Sequence, residues 1–311
     1  VAIERVLLLV GGVGGAKLAH GLAQILPSGA LTAVVNTGDD FWHYGLRVCP
    51  DMDTVMYTLG GVVDPVNGWG VRDDTAHMLN ALRRYGEQPW FRLGDQDLAT
   101  HLLRTEALRR GERLTAVTRR LSDALGIRQT ILPMTDSEVA TIIDTEDYGE
   151  LAFQEYFVRH RWQPRVRGIR FAGVETAYVN DAIADAFKAA DAILIAPSNP
   201  WLSVAPILSV PGMRDLLMDR RVPSVALTPI IGGAAVKGPT AKIMSELGLE
   251  VTPSVVAQFY EGLIDGFIYD SNDPPPQIAG VRTIGMDALM RSEPDRARLA
   301  GEILRWIEET I

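Results

Sequence analysis

The chain has 311 residues, 47% hydrophobic and 22% charged, and 39 acidic against 30 basic side chains give a net charge of −9. A chain of this length buries about 75% of its unfolded surface, enough for one large domain or two. The acidic balance excludes a broad nucleic-acid-binding face, no run of eighteen apolar residues suggests a membrane span, and the single cysteine, Cys49, leaves no disulfide framework or cysteine-based zinc site. The opening residues do not read as a signal peptide, so the cytoplasm is the expected compartment.

In chain order, Val6–Val10 is an apolar run without alternation, the pattern of a strand buried on both faces of a parallel sheet. Gly11-Gly12-Val13-Gly14-Gly15 follows, then a predicted helix over Ala16–Ile25, with Leu18, Leu22 and Ile25 on one face. A second strand, Leu31–Val35, leaves through Asn36-Thr37-Gly38-Asp39-Asp40. Strand, glycine turn, helix and strand make a βαβ unit. Residues 61–174 read differently: charged helical stretches over Asp73–Tyr85, Asp95–Arg110 and Leu114–Leu125, then alternating runs at Glu138–Thr145 and Arg165–Phe171. Buried-strand runs return at Ala192–Ala196, Ser224–Leu227 and Gly266–Tyr269, with helices between them and a last helix capped by Ser292 and Asp295. The expected fold is α/β. A Rossmann-like, mostly parallel core is formed by residues 1–60 and 175–311, and residues 61–174 form a mostly helical insertion.

The polar loops follow predicted parallel strands, where ligands of open α/β sheets bind. Gly11, Gly12, Gly14 and Gly15 let backbone N–H groups approach a phosphate, with Lys17 beside them; a tight strand–helix turn is the alternative. The run is not G-x-x-x-x-G-K-[ST], because Leu18 replaces the hydroxyl, nor G-x-G-x-x-G, because Lys17 holds the third glycine position. Asp39, Asp40, Asp51 and Asp53 crowd around one cation, Arg47, a density that suits Mg²⁺. Helix capping near Thr54 is the alternative for Asp51 and Asp53. Ser198-Asn199-Pro200 and the Pro229–Gly233 loop are further polar strand exits. Trp42 and Tyr44 suit stacking on a flat ligand or core packing equally. His77 and His101 have no His or Glu partner at metal spacing and read as surface or capping residues. No hydrolase triad order is present.

Taken in order, Gly11–Leu18, Asn36–Asp40, Pro50–Thr54, Leu93-Gly94-Asp95, Ala99-Thr100-His101, Pro197–Pro200 and Pro229–Gly232 resemble the 2-phospho-L-lactate transferase family of coenzyme F-420 biosynthesis. The resemblance implies a Mg²⁺-dependent transfer of a phospho-acid, 2-phospholactate or phosphoenolpyruvate, from its guanosine diphosphate ester to the ribityl hydroxyl of the deazaflavin Fo, with GMP released by a homodimeric protein. Gly11–Lys17 would then cradle the diphosphate, and Ser198, Asn199 and Gly232 the guanosine side. Asp39, Asp40, Asp51 and Asp53 would hold the metal, with Asp53 and Asp40 catalytic. Fo would meet Asp53, Arg92 and Trp42. The chain carries Gln96 where the family often has arginine. A nucleotide-sugar-binding regulator of the related gluconeogenesis-factor family is the alternative of a different class. The Pro50–Thr54 and Leu93–His101 motifs match the transferase better.

Overall fold

The computed structural model describes residues 2–235 and 238–311. The first half of the chain runs β1 (Val6–Val10), α1 (Gly12–Ile25), β2 (Leu31–Val35), the hairpin β3 (Phe41–His43) and β4 (Leu46–Val48), and α2 (Pro50–Leu59). Then come α3 (His77–Arg84), α4 (Asp97–Arg109), α5 (Leu114–Ala124), β5 (Thr130–Pro133), β6 (Ala140–Thr145), β7 (Gly149–Ala152) and β8 (Val166–Ala172). The remainder is α6 (Asp181–Ala189), β9 (Ala192–Ile195), α7 (Ala205–Ser209), α8 (Met213–Met218), β10 (Ser224–Leu227), β11 (Ile230–Ile231) and β12 (Ala234–Ala235). It closes with α9 (Thr240–Glu246), α10 (Pro253–Phe259), β13 (Gly266–Asp270), β14 (Arg282–Met286) and α11 (Glu293–Thr310).

Seven strands form one sheet in the order β14-β13-β10-β9-β1-β2-β5. Every pairing in it is parallel, with Leu8 opposite Ala33 on one side and Leu194 on the other. The α/β reading therefore holds. All five residues of β1 are buried because both faces are covered. Val6, Leu8 and Val10 enter the cluster with Leu18, Leu22 and the α11 stripe Leu299, Ile303 and Ile307. Leu7 and Leu9 enter the opposite cluster with Ile183, Ile207 and Val256. Helix α1 lies close along α11 because a Cβ at Gly21 would collide with the Arg296 carbonyl. The chain leaves β1 toward β2 and β5, then returns to the other side of β1 as β9. That reversal opens a crevice between the carboxyl ends of β1 and β9.

Three details differ from the sequence reading. Helix α1 begins at Gly12, so the glycines form its first turn. Helix α2 begins at Pro50 with Cys49 as its cap, which places Asp51 and Asp53 inside the first turn and not ahead of it at Thr54. The stretch 61–174 is not separate from the core: β5, within it, is the outer strand of the central sheet beside β2. The alternating runs of that stretch do pair antiparallel, as β6 with β8, and β7 completes a small three-stranded sheet. No helix among the described residues is long and apolar enough to cross a membrane.

Candidate active site

A cavity of about 570 Å³ opens at the β1/β9 crevice, a size that suits a small-molecule ligand. Gly11, Gly12, Gly14 and Lys17 line it, and Ser198 and Asn199 face them from β9's exit. The two exits are tied together. The Gly11 N–H donates to Ser198 Oγ at 3.1 Å, and that hydroxyl donates to the Gly11 carbonyl at 2.7 Å. Lys17 Nζ donates to the Met290 carbonyl at 2.8 Å. Gly15 is absent from the wall and is required by packing, since a Cβ there would lie 2.5 Å from Val10 Cγ2. Asn199 works as a cap, its Oδ1 accepting from the Trp201 and Leu202 N–H groups. Pro229 and Ile231 reach the cavity. Gly232 does not, and its N–H is taken by Asp273 Oδ2 at 2.8 Å.

All four predicted carboxylates are buried, but they divide three ways. Asp39 and Asp51 line the cavity together. Asp51 Oδ2 accepts from Asn36 Nδ2 at 3.0 Å, while Asp39 Oδ1 has no hydrogen-bond partner among the described residues. Burial pushes the Asp39 carboxyl well above the usual carboxylate range, and the Asp51 charge adds to the rise. Burial pushes Asp51 up to about 6. Asp40 stands apart from both. It lies off the cavity wall, 3.7 Å from the Arg47 guanidinium, with its pKa raised by burial to about 7. Asp53 belongs to a different neighbourhood. Residues two apart on a helix do not face the same way, and Asp53 turns from Asp51 toward α4.

There the Arg104 guanidinium grips both Asp53 oxygens, Nη1 at 3.1 Å from Oδ2 and Nη2 on Oδ1. His101 Nδ1 lies 3.7 Å from Asp53 Oδ2, and Nε2 lies 3.2 Å from Asp97 Oδ1. Tyr57 donates its hydroxyl to Asp97 Oδ1 at 2.7 Å. Asp53, Tyr57, Asp97 and His101 all line the cavity. His101, 1% exposed, is therefore neither a surface nor a capping residue; only His77 is exposed, at the start of α3. Donors of Asp53, Asp97 and His101 converge within 4.8 Å, the spacing of a cation site. Arg104 already supplies a positive charge there, and a second cation would face that charge at close range.

The sequence carried part of this network. Asp53 and Tyr57 stand four apart on α2, and Asp97, His101 and Arg104 stand at i, i+4 and i+7 on α4, each set on one helical face. A search confined to His and Glu partners passes over an Asp–His pair. Arg104 and its distance to Asp53 are tertiary facts.

Aromatic side chains also line the cavity, Trp69, Phe91, Phe157 and Trp162, together with Arg92. Trp162 and Arg161 both hold left-handed backbone, φ 49° and 50°, a conformation that costs energy in non-glycine residues and concentrates at functional sites. Trp42, expected on a flat ligand, does not line the cavity. It packs over Arg47 at 5.8 Å and donates Nε1–H to Glu138 at 3.3 Å.

Known proteins match this chain along its length. The phosphoenolpyruvate transferase of Streptomyces coelicolor is 41% identical, with 98% of each chain covered. The 2-phospho-L-lactate transferase of Methanosarcina mazei is 40% identical over 94% of this chain and 97% of its own. The crystal structure of protein BH3568 from Bacillus halodurans has the same fold, with a TM-score of 0.63 at 17% identity, covering 97% of this chain and 99% of that one. Residues 6–310 match the family described as 2-phospho-L-lactate transferase CofD. The chain belongs to that family, and it is a phospho-acid transferase of coenzyme F-420 biosynthesis.

Proposed function

We propose that the protein transfers a phospho-acid, 2-phospholactate or phosphoenolpyruvate, from its guanosine diphosphate ester to the ribityl hydroxyl of Fo, releasing GMP. The observation that carries this reading is the single cavity joining the Gly11–Lys17 turn, the buried Asp39 and Asp51, and an aromatic lip at Trp69, Phe91 and Trp162. A diphosphate, a cation and a flat ring system each meet matching chemistry there.

Mg²⁺ fits Asp39 and Asp51. Both are buried hard-oxygen donors held close enough to repel each other, and an Asp39 oxygen lacks a hydrogen bond. Mg²⁺ takes one or two carboxylates and fills its shell with water and substrate phosphate, so a ligand set of four is not required. Bound there, it would neutralise the diphosphate and the charge that builds on the leaving group. Backbone N–H groups of the glycine turn and Lys17 orient the same oxygens. The Fo hydroxyl oxygen forms a bond to the phosphorus next to the acid. The bond from that phosphorus to the GMP oxygen breaks, and GMP leaves with the electron pair. A carboxylate offers about four lone-pair sites; Arg104 uses two on Asp53, leaving others to accept the hydroxyl proton. No side-chain nucleophile is needed, because phosphoryl transfer runs on positioning and charge. A labelled phospho-acyl group trapped on the protein would overturn direct transfer.

The relatives named for the two acids are 41% and 40% identical, so similarity does not choose between them. Incubating the protein with Fo, Mg²⁺ and each GDP-linked acid, followed by mass spectrometry, tests the reading. GMP and a phosphodiester of Fo are expected with at least one donor. Tight binding of a UDP-sugar with no response to Fo or GDP would instead indicate the regulator. Sedimentation of the purified protein tests the homodimer.

A further inference from the structure

Asp53 is held more firmly than any other carboxylate of the cavity. Helix α2 offers Asp53 and Tyr57 one turn apart, and α4 answers with Asp97, His101 and Arg104 along one face. Arg104 is 2% exposed, and its fork spans both Asp53 oxygens. Nη1 also lies 3.3 Å from His101 Nδ1 and 3.4 Å from the Arg47 carbonyl. Tyr57 and His101 in turn meet the same Asp97 oxygen. The Asp39–Asp51 pair contrasts with this: burial raises both carboxyls, and Asp51 Oδ2 accepts from the neutral Asn36 amide at 3.0 Å.

We propose that Arg104 is a positioning residue for the transfer reaction. Its guanidinium turns the Asp53 carboxylate toward the attacking hydroxyl and keeps it from joining Asp39 and Asp51 as a third cation ligand. His101, Asp97 and Tyr57 brace that arrangement from behind. The assignment rests on the function proposed above. It concerns the fork, not the charge: a lysine keeps the positive charge but cannot span two oxygens in one plane.

The test compares Arg104→Lys and Tyr57→Phe with the parent, using initial rates of GMP release at varied Fo, donor and Mg²⁺. Arg104→Lys should lower kcat about a hundredfold, the scale of a small misplacement of a reacting group. The donor KM and the Mg²⁺ half-saturation should stay within about twofold of the parent, as for an interaction used in the transition state. Tyr57→Phe removes only the hydroxyl that reaches Asp97 and keeps the ring, a smaller change than the buried arginine substitution. It should lower kcat several-fold in the same pattern. Parent-like kcat in a folded Arg104→Lys, or in Tyr57→Phe where the lysine variant does not fold, overturns the assignment. A rise in Mg²⁺ half-saturation matching that of Asp51→Asn also overturns it, because Arg104 would then shape the cation site. A parent protein that releases no GMP from either donor overturns the functional reading itself, and the assignment with it.

Discussion

The cavity has two acidic walls built on opposite principles. On the wall beside the central strands, Asp39 and Asp51 are buried, and an Asp39 oxygen is without a hydrogen bond. On the wall formed by α2 and α4, Asp53 and Asp97 are just as deep in charge chemistry but already partnered, by Arg104 and Tyr57. Burial raises both carboxyls of the first wall, and the Asn36 hydrogen bonds offset that rise only in part, so this is the wall proposed to receive a cation. The second already holds an ion pair. Asp97 shows the difference in its pKa: burial raises it, yet the hydrogen bond and charge of His101 and the Tyr57 hydroxyl bring it below the usual carboxylate range. Asp39 and Asp51 move the other way.

The largest effect that separates the walls is expected from Asp53→Asn. It removes the acceptor of the hydroxyl proton and leaves the Arg104 guanidinium buried without its counter-charge. Turnover should fall by at least about a thousandfold, in line with loss of a general base together with its positioning. Breaking a buried pair costs about 3–5 kcal/mol, which calorimetry should register as a melting temperature lower by about 5–8 °C. A variant with near-parent turnover would remove Asp53 from the chemistry. An unchanged melting temperature would show that Arg104 finds another partner.

A smaller effect probes the open wall. Gly11 has extended backbone, φ −154°, so its requirement is space: a Cβ there would lie 2.6 Å from both Asp51 Oδ2 and Ser203 Cβ. Gly11→Ala should cost about 1–3 kcal/mol by overpacking. It should also raise the Mg²⁺ half-saturation about tenfold, as changes to groups that orient a metal ligand do. An unchanged Mg²⁺ response would detach Asp51 from the cation.

Smaller again is the pH dependence of that wall. Asp51 and Asp40, raised to about 6 and about 7 by burial, bind protons in the folded protein that the unfolded chain has already lost. Their contribution to stability is complete below about pH 4 and is lost as pH rises toward 7. His20 and His43, lowered by burial, act in the opposite sense over part of that range, so the Mg²⁺ increment is the cleaner readout. Mg²⁺ competes with protons for the carboxylates. It should raise the melting temperature more at pH 7.5 than at pH 5. Equal increments at both pH values would place the cation elsewhere.

How far the residues themselves disclosed these walls follows from sequence distance. Strands such as Val6–Val10 and Ala192–Ile195 were legible because a strand buried on both faces is a continuous apolar run. Strand β5 shows little pattern because Thr130–Pro133 is four residues long and ends in proline. Strand β14 carries Arg282, Thr283 and Gly285, which mask its pattern. The open wall draws on short sequence distances: Asp39 follows the exit of β2, and Asp51 stands twelve positions later in the first turn of α2. The partnered wall joins Asp53 to Arg104 across 51 positions, and no local pattern encodes that contact. What the residues do carry is the spacing within each helix, Asp53 with Tyr57 on α2 and Asp97, His101 and Arg104 on α4.

The smallest expected effect sharpens the same lesson at the aromatic lip. Trp42 stands beside Asp40 in sequence, and adjacency alone suggested a stacking role. In the fold its ring lies outside the cavity over Arg47, whereas Trp162, 120 positions later, stands on the wall in left-handed backbone. Trp42→Ala should change stability by less than about 0.5 kcal/mol, as surface changes do, and leave both substrate KM values near the parent's. Trp162→Ala should raise one of the two KM values about tenfold, the loss of one ring-stacking contact. The substrate whose KM moves is the one whose ring Trp162 covers. If Trp42→Ala raises the KM for Fo while Trp162→Ala does not, the lip is assigned to the wrong tryptophan, and the β3–β4 hairpin has to close over the cavity when ligand binds.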